Sequence, residues 1–246
     1  MGKSSKIFNR KPTLRSLAKR VDRIEDETEV KFAFNWNYSY NQTLFTLSLT
    51  DTAPQMGCIN AVEKGDTHRQ RTADQVQGTS IRCAGKVYWP SGGATIGING
   101  RVRILIICDK NPMGIAPVLY GDTANAGFKQ PIFRTQSPFR PQVQHLYNIE
   151  DGMYEQYDIL YDHVYPLVTQ VGSSAYNGGG ITDTSVNPEA YFDINLPFRR
   201  RVSYDMDGFP ATIQEISMNS LHIAFITDVN VELAVELDSR FMFKDA

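Results

Sequence analysis

The chain has 246 residues, 41% hydrophobic and 11% aromatic, which is enough apolar material for a sizeable core in one or two domains. No apolar run approaches the ~18–20 residues that cross a bilayer as a helix, and the opening MGKSSKIFNRK lacks the apolar stretch of a secretory signal. The near-neutral total of 25 Lys/Arg against 27 Asp/Glu conceals a split: residues 1–23 hold Lys3, Lys6, Arg10, Lys11, Arg15, Lys19, Arg20 and Arg23 against Asp22, net +7, leaving 17 basic and 26 acidic side chains, net −9, in the rest.

Taken in chain order, the first predicted element is a helix over 13–28. Leu14, Leu17, Val21 and Ile24 recur at spacings of three and four, with the basic residues on the other faces and Pro12 just ahead. After Glu29 the period changes to two. Val30, Phe32, Phe34, Trp36, Tyr38 and Tyr40 alternate with smaller or polar residues, and Phe45, Leu47 and Leu49 repeat the pattern. Further strands are expected at 79–89, at 101–108 (RVRILIIC, apolar enough to be buried on both faces), and at 157–165, 190–196, 199–204, 220–227, 229–237 and 240–243. Loops rich in Gly, Pro, Asn, Ser and Thr separate them at 51–78, 90–100, 109–145 and 166–189. About eight strands with such long connections fit a jelly roll, whose loops cluster at the ends of the sandwich. The expected fold is therefore all-β: an eight-stranded jelly-roll sandwich over 30–246, preceded by a short basic helical arm over 1–29.

Little in the chain points to catalysis. His68, His145, His163 and His222 are scattered outside any metal motif, and His163 and His222 sit in strand patterns as structural histidines. No nucleophile-elbow motif occurs, Asp205 and Asp207 flank a turn, and Gly178–Gly180 is a loop tip without a phosphate-cradle context. Cys58, Cys83 and Cys108 are odd in number and widely spaced, so they are expected as buried free thiols. The basic arm is the functional signal that stands out. Eight cations in 23 residues suit sequence-independent phosphate contacts, and with Phe8 as the sole ring, base stacking is not expected.

Four segments carry a resemblance: LRSLAKRVDRIEDETEVKF running from the arm into the first strand; GDTHRQRTADQVQGTSIRCAGKV at Gly65–Val87; RVRILIICDKNPMGIAP at Arg101–Pro117; and SRFMFKDA at Ser239–Ala246, with YDILYDH at 157–163 in support. In that order they resemble the single jelly-roll capsid proteins of small icosahedral viruses. These are the satellite-necrosis-virus-like coat proteins and the related capsids of Rep-encoding circular single-stranded DNA viruses. The chain departs from them at Ala73, where the family often has Gly, and its arm is poorer in Arg than circovirus arms.

The resemblance implies a non-enzymatic coat protein that self-assembles into a T=1 shell of about sixty copies. The eight basic arm residues would face a single-stranded genome, DNA being favoured over the RNA of satellite-type viruses. The protein would reside in the virion, and in the host nucleus or cytoplasm during assembly. The resemblance also implies calcium between subunits, at positions matching Thr72, Gln75 and Asp245. Two rivals compete with this reading. A carbohydrate-binding jelly-roll module would use Trp36, Tyr38 and Tyr40 as an aromatic platform, and a cupin-type enzyme would need a His/Glu metal cluster.

Overall fold

The computed structural model describes residues 30–36, 55–89, 99–119, 131–133, 154–168, 170–171, 185–186, 189–205, 212–228 and 233–245. The chain divides into two units, Met1–Val30 and Lys31–Ala246. The expected arm helix and the strand signals at 37–49 lie outside the described residues. No α-helix occurs among the residues described.

The body is all-β. In chain order its strands are β1 (Lys31–Trp36), β2 (Gln55–Cys58), β3 (Gln75–Tyr88), β4 (Asn99–Asp109), β5 (Tyr157–Val168), β6 (Gln170–Val171), β7 (Ser185–Val186), β8 (Glu189–Pro197), β9 (Arg201–Tyr204), β10 (Ile216–Met218), β11 (Ser220–Thr227) and β12 (Ala234–Asp245). Two antiparallel sheets pack as a sandwich. The larger runs β1-β12-β3-β9-β10, with β8 also on β3; the smaller runs β2-β11-β4-β5. This arrangement is consistent with a jelly roll. A two-stranded ribbon, β6-β7, lies within the long connection after β5.

The alternation of the sequence explains which face each strand buries. Along β8, Ala190, Phe192 and Ile194 point to the core while Glu189, Tyr191, Asp193 and Asn195 point to solvent. The core between the sheets is built from β3 (Val76, Ile81, Cys83, Val87), β4 (Val102, Ile104, Ile106, Cys108), β11 (Leu221, Ile223, Phe225) and β12 (Val235, Leu237, Phe241, Phe243). Each large side chain fully buried there contributes about 1.5–3 kcal/mol.

The smaller sheet also buries its other face. Leu105 and Ile107 of β4 and Ala224 and Ile226 of β11 form a second cluster with Leu119, Ile132 and Phe133. The segments at 118–119 and 131–133 pair with each other and cover the sheet. That cover is why RVRILIIC is apolar throughout and why every residue of β11 is buried.

Two sequence expectations need correction. The pieces at 229–237 and 240–243 belong, from Ala234 onward, to one twelve-residue strand. Asp238 and Arg240 point outward while Ser239 turns inward opposite Cys83, so the polar DSR step keeps the alternation. The loop expected at 51–78 contains β2, which pairs with β11, and the first residues of β3. The strands at 190–196 and 199–204 run along the same edge of β3, joined through a short irregular step: Phe198 N–H donates to Thr79 O at 3.0 Å and Gly78 N–H to Arg200 O at 2.9 Å. Gly78 makes that step fit, because a Cβ there would lie 2.5 Å from the Phe198 ring.

Candidate functional site at the rim of the larger sheet

The segment linking β2 to β3 is pinned by one buried cation. Arg71 is fully buried, an expensive placement for a charge unless its donors are used. Its Nε donates to Val62 O at 3.1 Å and its NH1 to Ala73 O at 2.9 Å; Asp74 lies 3.4 Å away. The guanidinium stacks over the Tyr204 ring, 4.3 Å from its centroid, and the Tyr204 hydroxyl donates to Asn60 O at 2.8 Å. Backbone bonds from Arg71 N–H to Glu63 O and from Gly65 N–H to Arg71 O, both 2.9 Å, close the loop. Gln70 folds back over Gly65, where a Cβ would lie 2.3 Å from its Oε1, and that oxygen accepts from the Thr67 hydroxyl at 3.0 Å. The Gly65–Asp66…Gln70–Arg71 pattern thus serves the architecture of this loop.

The loop delivers Thr72 to the end of β12. Thr72 N–H and Oγ1 donate to the two Asp245 oxygens at 3.1 and 2.8 Å, and Lys31 Nζ sits 2.7 Å from Oδ2. Lys31 also donates to Gln70 O at 3.3 Å. Burial alone would raise the Asp245 carboxyl, but the bonds from Lys31 and Thr72 and the Lys31 charge outweigh it and hold the group below the usual carboxylate range.

Of the three residues matched to calcium ligands, the structure brings two together. Gln75 neighbours Val76, the register partner of Asp245, so its side chain leaves the sheet on the opposite face. Within one chain these groups do not fit a calcium ion, which takes six to eight oxygens, because the Lys31 ammonium already occupies the Asp245 carboxylate. No group of three His, Cys, Asp or Glu placed to hold a metal occurs among the described residues. What the arrangement does is latch the first residue of β1 and the penultimate residue of the chain to one loop.

A second polar cluster lies where β4 meets β5. Asp158 is held by Lys110 at 2.9 Å and by Arg200, and Arg200 also approaches Cys108 Sγ at 3.7 Å. Burial raises the Asp158 carboxyl, but the bonds from Lys110 and Arg200 more than compensate and leave it lowered. Further along, Arg103 pairs with Asp162 and lies over the Phe133 ring. These ties bridge strands and loops.

His145 lies outside the described residues, and the other three histidines stand on separate segments. His222 is buried in β11 with Nε2 2.9 Å from Ser220 Oγ, His163 is exposed on β5 against Tyr165, and His68 lies edge-on to Phe32. All three cysteines are free. Burial pushes their thiols up, to about 11 for Cys58 and Cys108 and about 12 for Cys83, which makes them poor nucleophiles. The eight arm cations Lys3, Lys6, Arg10, Lys11, Arg15, Lys19, Arg20 and Arg23 lie outside the described residues, as do Tyr38, Tyr40 and the Trp36 side chain of the proposed aromatic platform.

One surface feature was invisible in the sequence. Met113, Ile115, Tyr154 and Met218 are exposed and sit on segments that meet at one end of the sandwich, where Lys110 Nζ donates to Tyr154 O at 2.7 Å and Asn219 N–H to Lys110 O. Met113 holds φ 51 there, a conformation costly for a side chain of its kind. Chain neighbours do not reveal this, since the four residues come from three segments.

No family model matches the chain, and no curated protein matches it.

Proposed function

We propose that this chain is the coat protein of a small icosahedral virus, about sixty copies forming one shell, with the basic arm packaging a single-stranded genome, DNA in preference to RNA. The observation that carries the reading is strand order. With β8 and β9 taken as one bent strand, the larger sheet runs first, eighth, third, sixth among the eight principal strands, and the smaller runs second, seventh, fourth, fifth. Leaving aside the short β6, β7 and β10, that order is consistent with a jelly roll, an architecture used by viral shells and by lectins and cupins as well. The resemblance of the four sequence segments and the charge split select the shell among these uses. Met113, Ile115, Tyr154 and Met218, exposed on segments that meet at one end of the sandwich, are side chains of the kind that copies bury against one another.

Phosphate neutralisation by the arm is sequence-independent and salt-sensitive. Sixty arms of net +7 carry about +420, so a genome of a few thousand nucleotides needs additional counterions. Deleting residues 1–23 should leave particles forming while their 260/280 nm absorbance ratio falls to that of protein alone. Particles of the truncated chain that retain the full ratio would remove the arm from packaging.

A further inference from the structure

We propose that the outer face of the larger sheet carries a binding site for a neutral pyranose sugar, with the Tyr191 ring as its platform. The inference does not rest on the capsid reading. The site is an open depression of about 590 Å³ lined by Gly85, Lys86, Tyr191, Phe192, Asp193 and Glu236, within the size range of small-ligand sites.

Strand register builds it. On β3, Lys86 faces outward between Tyr191 of β8 and Glu236 of β12, and the next outward position along β3 is Ala84, between Asp193 and Asp238. The depression opens over the β3 backbone at Gly85, beside Lys86 and between the outward side chains of β8 and β12.

Tyr191 is 68% exposed, the highest of the large apolar side chains exposed among the described residues. An exposed aromatic ring in mid-strand has no packing explanation. It is nonetheless held in place, because its hydroxyl donates to the Glu189 carboxylate. A ring fixed in orientation loses little entropy on binding, and it offers an apolar face to the C–H face of a sugar.

The polar walls are equally fixed. Asp193 accepts two bonds from Arg82 at 3.1 and 3.0 Å, and Lys86 lies 3.4 Å from Glu236 and 4.4 Å from the Tyr88 ring centroid. An ionised carboxylate has about four acceptor sites and an ammonium three donors, so these groups retain capacity for sugar hydroxyls.

Charge selects the ligand class. Glu189, Asp193 and Glu236 outnumber Lys86 and Arg82, which disfavours phosphate, nucleic acid and sulfated glycans. Lys86 in the wall, already balancing Glu236, disfavours a cationic peptide. A neutral ligand rich in hydroxyls is what remains.

The test is saturation-transfer NMR on the full-length protein with N-acetyllactosamine, maltotriose and mannotriose, with a heparin hexasaccharide and tetralysine as charged comparators. Transfer to the ring protons of at least one neutral sugar is expected, with affinity falling about tenfold or more in Tyr191→Ala. Glu236→Ala, which removes one polar wall of the depression and leaves the ring in place, should weaken binding as well and covers the case of a poorly folded Tyr191 variant. The proposal fails if none of the three sugars shows transfer, if neither variant weakens it, or if heparin or tetralysine binds more tightly than every sugar.

Discussion

Arg71 shows how a single residue sets the geometry of the loop that positions Thr72. Its guanidinium is fully buried and serves two carbonyls and one aromatic face. Removing it strands Val62 O and Ala73 O, and the loop loses its anchor. Arg71→Met should destabilise the fold by about 3 kcal/mol, the range for removing a buried charged partner, as read from the urea midpoint. Arg71→Lys should recover little, because an ammonium cannot span both carbonyls while stacking on Tyr204. Full recovery by Lys would show that charge alone matters there. The motif containing Arg71 was legible in the sequence. Its burial was not, since nothing local distinguishes Arg71 from exposed Arg69. Lys31 was equally hidden: its partner Asp245 lies at the far end of the chain, and only the pairing of β1 with β12 brings them together.

The strands were legible to the extent that one face of each is buried. β8 and β11 follow from alternation and from a continuous apolar run. β2 escaped because QMGC has no alternation of its own and exists as a strand by pairing with β11. The break expected within β12 reflected the polarity of Asp238 and Ser239, whereas the strand tolerates an inward Ser opposite Cys83. The depression around Tyr191 was illegible because its walls come from three strands far apart in the chain. Backbone proximity gives a test at this scale. A Cβ on Gly85 would lie 2.0 Å from Glu236 O, a main-chain atom of the neighbouring strand, whereas on Gly65 it would meet the end of the Gln70 side chain. Gly85→Ala should therefore cost about 2 kcal/mol or more, and Gly65→Ala distinctly less, in parallel thermal or urea unfolding. The reverse order would mean that the β3–β12 spacing differs from that described here.

At the scale of the whole molecule, the body is a two-sheet sandwich, and the charge of the chain is divided into +7 and −9. Net charge and surface patches govern association more than fold, so self-assembly is the property on which the capsid proposal stands. The most direct measurement is negative-stain electron microscopy of the purified full-length protein across salt and calcium concentrations. Uniform shells of roughly 20 nm are expected, the size reached when some sixty domains of ordinary compactness enclose one cavity. A monodisperse monomer at every condition would contradict the capsid proposal.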